Sequence, residues 1–414
     1  MAAGAVIVGA GQAGFEAAAS LRTEGYQERI TLVGEEPHLP YQRPPLSKGF
    51  VLDKQGMDEI ELRPLAFYQD HKVDVLVGER VVQIERRERR VRLASGVALP
   101  YDALVLAVGA RNRSLPVDGA ELDGVLYLRT LDESRAVKSR VQQAQNVVVI
   151  GGGFIGLELA AVARSLGKSV TVLEAQARLM PRVVAPVISQ FYRDLHASRG
   201  VTVVCGAAVS EIAGDGGRVR AVLVSGGHVF PADLVLVGIG VVPNVELAQG
   251  AGLRVGNGIV VDDCLRTNDS AIYAVGDCAD HPNAFAGGRV RLESVQNACD
   301  QARCAAAAIA GRAAPYTALP WFWTDQYDIR LQMAGLSQNY DRTVTRGDMA
   351  LPKFSVFYFR DSRLAAVDSI NRPADHMIAR RILAGRMPVT PEEAADESVD
   401  LKTLVVSTRP RHGQ

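Results

Sequence analysis

Residues 151–158 read GGGFIGLE, and residues 9–16 read GAGQAGFE. Each is a GxGxxG turn followed two positions later by a glutamate. Each turn follows a short apolar run, AVIV at 5–8 and NVVVI at 146–150, and each opens a stretch with helical periodicity, 13–23 and 155–166. Each helix leads into a second apolar run, 29–33 and 169–173, which ends at Glu35 and Glu174. Short uninterrupted apolar runs bounded by glycine read as strands buried on both faces. The chain is therefore predicted to contain two βαβ units. Two copies mark a domain duplication, not a solenoid.

A GxGxxG turn alone reads equally well as a tight β–α corner. Here each copy also has a strand before it, a helix after it and an acid about 20 residues on. That pattern is a dinucleotide cradle. Gly9 and Gly151 permit the tight turn, Gly11 and Gly153 let backbone N–H groups approach a pyrophosphate, and Gly14 and Gly156 let helix and strand pack closely. The helix N-terminus offers free donors and a favourable dipole to phosphate. Glu35 and Glu174 are placed to accept from a ribose diol. A 2′-phosphate beside Glu174 would meet a like charge, and two unit charges about 4 Å apart repel by roughly 4 kcal/mol at an effective dielectric near 20. NADH is expected over NADPH, with Arg178 as a partial offset.

The remaining segments fit around these units. Residues 81–84 and 89–94 alternate and flank the tip ERRERR, whose alternating signs read as a solvated hairpin tip or a partner patch. Buried strands are expected at 104–108 and 234–237, and a strand–turn at AIYAVGDC, 271–278. After Pro315 aromatics cluster, in WFW at 321–323 and FSVFYF at 354–359, as in a strand-rich domain that ends near Leu404 before a polar tail. The expected fold class is α/β: two Rossmann-like dinucleotide-binding domains and a C-terminal α+β domain. The expected division is 1–112 and 242–315 for the first dinucleotide domain, 113–241 for the second, and 316–414 for the C-terminal domain and tail.

Composition narrows the function. Of 414 residues, 46 are Lys or Arg and 46 are Asp or Glu, which gives no global pull toward nucleic acid or anionic membrane. No run of about 18 apolar residues escapes a polar or helix-breaking interruption, so no transmembrane helix is expected. The apolar N-terminus lacks the basic start of a signal peptide, and the cytoplasm is the expected place. The five cysteines, Cys205, Cys264, Cys278, Cys299 and Cys304, do not form a secreted disulfide framework. Cys299 and Cys304 fall five apart in a helical stretch, about 140° apart around the axis, and are expected to be structural. No Cys/His cluster has zinc or iron–sulfur spacing, so no metal site is expected.

The two cradles together with YQRPPLSK at 41–48, GIGVVPN at 238–244, AVGDC at 274–278, RLESVQNA at 291–298 and PWFWTDQYD at 320–328 carry a resemblance over nearly the whole chain. The sequence resembles the two-dinucleotide-fold flavoprotein reductases, and within them the bacterial ferredoxin reductases of the putidaredoxin reductase and rhodocoxin reductase type. The resemblance implies FAD in the first cradle and NADH, as co-substrate, at the second. It places Ala13, Glu35, Val81 and Arg129 at the FAD adenosine and pyrophosphate, although Val81 reads equally as hairpin core. Asp277 falls at the ribitol, or is a simple turn residue. Lys48 and Glu158 form a charged pair beside the isoalloxazine, although Lys48 alone reads as a surface loop lysine. Val295 meets the flavin through its backbone. Trp323 lines the flavin, whereas Trp321 reads as core. Gly240 borders the NAD, or serves backbone geometry only.

Disulfide reductases of this superfamily carry cysteines just after the first cradle. Residues 1–204 here contain none, which removes a thiol relay at that position. Electrons must then leave to an external carrier. The resemblance implies a small [2Fe–2S] ferredoxin feeding a cytochrome P450, with a Rieske-type oxygenase system as the alternative. An acidic ferredoxin calls for a basic rim, with Lys54, Arg63, Arg303 and Arg330 as candidates. An NADH:quinone or dye reductase or an oxidase remains open. A redox-sensing nucleic-acid binder of the same fold is disfavoured by the charge balance.

Overall fold

The computed structural model describes residues 3–406. The tail expected beyond Leu404 lies, from residue 407 on, outside the described residues. The chain forms two compact units, one from 3–43, 55–111 and 241–320, the other from 44–54, 112–240 and 321–406. The four-segment division given above remains a proposal. The contacts themselves group 44–54 and the C-terminal segment with the second cradle.

The first unit is built on a five-stranded parallel sheet in the order Ile272–Ala274, Ala103–Leu106, Gly4–Val8, Arg29–Gly34, Val73–Val77. Gly4–Val8 is buried at every position, as a strand covered on both faces must be. The helices Gln12–Thr23 and Val295–Ile309 pack together beside it, joined through alanines such as Ala17, Ala302 and Ala305 that admit a close approach. The strand expected over 104–108 is Ala103–Leu106, and the chain turns left-handed at Gly109 (φ 62°). The GDC of AIYAVGDC is a single 3₁₀ turn, Gly276–Cys278, not a continuation of the strand. In the ERRERR hairpin, Arg90 and Arg92 both pair with Glu85, and Arg86 pairs with Asp269 at 2.8 Å.

The second unit repeats the parallel design. Its order is Val201–Cys205, Ser169–Glu174, Asn146–Ile150, Leu234–Val237, Val125–Tyr127. It also holds a five-stranded antiparallel sheet in the order Trp321–Gln326, Ile329–Gly335, Arg363–Ile370, Lys353–Arg360, Arg342–Asp348. The helices Pro373–Ala384, Pro391–Ala395 and Leu401–Val406 accompany that sheet, and Phe357, Phe359 and Val367 meet Ile382, Ala394 and Leu401 in its core. The C-terminal α+β character follows from this segregation of helices from strands.

Candidate functional site

The two cradles have matching backbones. Gly9 has φ 109° and Gly151 has φ 108°, in the left-handed half of conformational space that side chains rarely enter. A Cβ on Gly9 would sit 2.2 Å from Ala107 O, and one on Gly151 would sit 2.4 Å from Gly238 O. A Cβ on Gly14 would come within 1.8 Å of Gly9 O, and one on Gly156 within 2.1 Å of Gly151 O. The middle glycines differ in kind. A Cβ on Gly11 or Gly153 would meet nothing within 4 Å. Each is also the N-cap of its helix with no side chain capping it, so the first helical N–H groups face the open side of the turn. Closed corners on either side of an open middle glycine are what a pyrophosphate requires, and both cradles fit a dinucleotide.

In the first unit the GDC turn abuts the first cradle. A Cβ on Gly276 (φ 77°) would lie 3.2 Å from Ala13 Cβ, so both positions are held to small residues. Gly276 N donates to Gln301 Oε1 at 2.7 Å, and Gln301 Nε2 lies 3.0 Å from His281 Nδ1. Arg291 Nη1 donates to the Asp277 carbonyl at 3.0 Å. Gln301, His281 and Arg291 thus pin the Asp277 turn. Arg291 lay inside the RLESVQNA motif, but nothing local marks a helical glutamine or a buried histidine as supports for a distant turn. Val295 begins the helix whose N-cap is Ser294, whose hydroxyl accepts from Asn297 N at 3.1 Å. Val81 is buried and pairs with Leu93 in the meander. Glu35 is exposed, 3.7 Å from Arg80. Its neighbour Glu36 makes the tighter cluster, accepting from Tyr41 Oη at 2.5 Å and Arg43 Nη2 at 2.7 Å.

Lys48, Glu158, Arg129, Trp323 and the second cradle belong to the second unit. Glu158 is 3 % exposed yet carries a carboxylate. Its Oε1 accepts from Lys48 Nζ at 2.8 Å and from Thr324 Oγ1 at 2.6 Å, and its Oε2 accepts from Ser47 Oγ at 2.5 Å. A buried carboxylate survives only with such partners. Lys48 is therefore paired, not a free loop lysine. Its loop is fixed from below by Ser134 Oγ, which donates to Leu46 O at 2.8 Å. Arg129 precedes the capping box of the helix Leu131–Gln143, and its N–H reaches Glu133 Oε2 at 2.6 Å. Trp323 stacks on Trp321 with centroids 5.5 Å apart. Trp321 is half-buried, with the His376 ring at 5.9 Å and the Arg380 guanidinium over its face at 4.6 Å, so it is not a closed core residue.

At the second cradle, Glu174 Oε2 accepts from Gly152 N at 2.7 Å and Oε1 from Gln176 N at 2.8 Å. Each oxygen retains a lone pair for a ribose hydroxyl. The offset expected of Arg178 is not what the structure places there. Its guanidinium donates to Val184 O, Ser189 Oγ and Pro181 O at 2.8, 2.6 and 2.7 Å, so its donors serve the fold. The cation beside Gly240 (φ 98°) is Arg182, whose Nη2 lies 3.8 Å from where a Cβ on that glycine would stand.

The four rim candidates differ in their surroundings. Arg303 is shared by Glu16 at 2.7 Å and Asp300 at 3.0 Å, and Arg330 pairs with Asp325 at 3.2 Å. Arg63 lies over the Phe67 ring at 5.7 Å, and Lys54 is exposed. All five cysteines are free thiols. Burial pushes the Cys299 and Cys304 thiols up to about 11, which disfavours the reactive thiolate. Among the described residues no group of His, Cys, Asp and Glu is placed to hold a metal ion, and no helix is long and apolar enough to cross a membrane.

A family model described as pyridine nucleotide-disulphide oxidoreductase matches residues 4–302, and one described as reductase C-terminal matches 321–405. The chain is 50% identical over 407 residues to rhodocoxin reductase from Rhodococcus erythropolis, covering 98% of this chain and 95% of that protein. A crystal structure of the ferredoxin reductase for the CYP199A2 system from Rhodopseudomonas palustris matches with a TM-score of 0.96 at 48% identity, over 98% of this chain and 100% of that one. A covalent putidaredoxin reductase–putidaredoxin complex matches with a TM-score of 0.95 at 43% identity, over 98% of each chain.

Proposed function

This chain belongs to the pyridine nucleotide-disulphide oxidoreductase family, and we propose that it is an FAD-containing NADH:ferredoxin reductase whose small [2Fe–2S] partner supplies a cytochrome P450. The observation that carries this reading is the pair of matching glycine cradles, each open at its middle glycine, on two separate parallel sheets. One protein that holds two dinucleotides is built for electron transfer between them. The P450 destination is supported by the relative that serves the CYP199A2 system. A cytoplasmic setting accords with NADH as the donor.

FAD supplies the capacity to accept two electrons as a hydride and to release them one at a time. In this proposal Gly9, Gly11, Ala13 and Gly14 cradle its pyrophosphate. Glu35, Val81 and Arg129 attend the adenosine side, Asp277 the ribityl chain and the Val295 backbone the ring. Lys48 supplies a cation near the ring, with Glu158 as its counter-charge, and Trp323 lines it. Gly151, Gly153, Gly156, Glu174 and Gly240 hold NADH. The balance is one NADH and two oxidised ferredoxins giving NAD⁺, two reduced ferredoxins and one proton.

The test is steady-state NADH oxidation by the purified holoenzyme with O₂ alone, with an artificial dye, and with a [2Fe–2S] ferredoxin of the P450 type and cytochrome c as reporter. Reduction of cytochrome c that depends on ferredoxin, with slow O₂ consumption, is expected. Rapid O₂ consumption indifferent to ferredoxin overturns the reading in favour of an oxidase.

A further inference from the structure

Glu158 is the inner end of a chain of side chains, of which Thr324, Gln326 and Tyr327 lie in the motif PWFWTDQYD and His196 in no motif. Thr324 Oγ1 donates to Glu158 Oε1 at 2.6 Å. Gln326 Nε2 donates to Thr324 Oγ1 at 3.5 Å. Gln326 Oε1 lies 2.9 Å from His196 Nε2, and Tyr327 Oη lies 3.4 Å from His196 Nδ1. Thr324, Gln326 and His196 are each 0% exposed. The placement follows from strand geometry. Thr324 and Gln326 are two apart on the strand Trp321–Gln326 and so share one face. That face meets Glu158 of the helix Phe154–Ser165 and His196 of the helix Pro186–Ser198.

The donors can be assigned along the whole chain. Burial lowers the His196 pKa, so the imidazole is neutral and has one N–H. Burial raises the Tyr327 phenol to about 12, so it keeps its proton. Gln326 Oε1 faces His196 Nε2 and, as an amide oxygen, can only accept, so the imidazole proton is on Nε2 and the Nδ1 lone pair takes the phenol proton. The Gln326 NH₂ faces Thr324, whose single hydroxyl proton goes to Glu158. Every proton points inward. Such a chain polarises each link toward the carboxylate at its end. At the outer end the Arg199 guanidinium covers the Tyr327 ring at 5.2 Å and pairs with Asp328 at 2.6 Å.

This is not a path for the proton that the reaction releases. A primary amide does not pass a proton along without an unfavourable tautomer, and the Gln326–Thr324 link is long. The chain orients. Lys48 and Thr324 share Glu158 Oε1, so the donor from Thr324 fixes where that oxygen sits and with it the Lys48 ammonium.

We propose that His196 is a positioning residue of the reductase, acting through Gln326 and Thr324 to hold Glu158 and, through it, Lys48. The proposal rests on the placement of the Lys48–Glu158 pair beside the flavin given above.

Two measurements on the holoenzyme test it. The first is ¹⁵N NMR of the histidine rings, with the His196 signals assigned by their loss in His196→Phe. The Nε2–H tautomer is expected in the unmodified protein, and its signals are expected to move in Glu158→Gln. The Nδ1–H tautomer, or signals that ignore Glu158→Gln, overturns the proposal. The second is single-turnover reduction of the flavin by NADH. Gln326→Leu and the near-isosteric Gln326→Glu, whose carboxylate would take the Thr324 proton, are each expected to slow it about tenfold, the upper scale of one ordinary hydrogen bond. FAD content and the KM for NADH should stay unchanged, and Thr324→Ser should run within about twofold of the parent because it keeps the hydroxyl. A parental rate in both Gln326 variants beside a slowed Glu158→Gln overturns the relay alone. Parental rates in Glu158→Gln and Lys48→Met overturn the placement of the pair itself.

Discussion

At the scale of single residues, the proposed discrimination between NADH and NADPH would rest on Glu174 with little help from its surroundings. Arg178 is committed to Val184 O, Ser189 Oγ and Pro181 O, so it cannot serve a 2′-phosphate without breaking three bonds of its own. Glu174→Ala is therefore expected to raise the KM for NADH at least tenfold and lower that for NADPH, from the loss of a charge–charge repulsion of roughly 4 kcal/mol at most. KM values for both coenzymes that do not change would remove Glu174 from the ribose. The same substitution strips the acceptor from Gly152 N and Gln176 N, so a stability cost of about 1–3 kcal/mol is expected, read as a lower urea midpoint. Arg178→Ala should leave the coenzyme preference alone and act on stability only.

At the scale of elements, the two cradles separate folding from binding within six residues of sequence. Gly151 is confined by φ 108° and by Gly238 O, and its replacement by alanine must move a strand or a helix. Gly153 meets nothing within 4 Å, so Gly153→Ala should fold with a melting temperature near the parent's and lose affinity for NADH alone. Gly11→Ala should do the same for FAD, read as flavin lost on gel filtration. An alanine at Gly153 that leaves the KM for NADH untouched would show that no phosphate passes that glycine. These elements were legible because strand, glycine spacing and terminal acid all lie within about thirty consecutive residues. The inner strands of the two parallel sheets and the helix around Cys299 and Cys304 followed from local pattern in the same way, whereas the outer strands Val73–Val77, Val125–Tyr127 and Val201–Cys205 did not. The assembly of the second unit did not. Residues 44–54 and 321–406 join 112–240 through single side chains such as Ser47 and Thr324, and a hydroxyl that reaches a carboxylate 166 positions away has no periodicity to betray it. The supporting roles of His196, Gln326, His281 and Gln301 were invisible for the same reason, although Gln326 lies in the motif at 320–328. The ion pairs of the rim candidates Arg303 and Arg330 with Glu16 and Asp325 were not readable either.

At the scale of the whole molecule, two buried groups with opposite signs shape stability against pH. His376 is 2 % exposed, and its two ring nitrogens have no hydrogen-bond partner among the described residues. Burial, then the charges of Arg380 and Arg330, lower its pKa to about 4 from 6.5. Its neutral form is native, so its contribution is whole above pH 6.5 and is lost as pH falls toward 4, because the unfolded chain binds the proton first. At pH 5 the loss is about 2 kcal/mol. Asp368 works the other way. It is wholly enclosed in the C-terminal sheet, where Tyr358 Oη donates to it at 2.5 Å, and burial raises it to about 7 from 3.8 despite that bond. Its contribution is whole below pH 3.8 and is lost as pH rises through 7, by at most about 4 kcal/mol. His376→Phe should thus be more stable than the parent at pH 5 and close to it at pH 8, apart from a constant packing offset. Asp368→Asn, whose amide oxygen still accepts from Tyr358, should gain at pH 8 and show no gain at pH 3.5. Urea denaturation of the parent and both variants at these three pH values reads the differences directly, with the ordinary titration of surface carboxylates cancelling between them. A gain for Asp368→Asn that is the same at pH 3.5 and pH 8 would mean that the native sheet does not raise the carboxyl above its ordinary value. The Tyr358 phenol, which also accepts from Ala185 N at 3.0 Å, would then tie the helix Pro186–Ser198 to a buried anion.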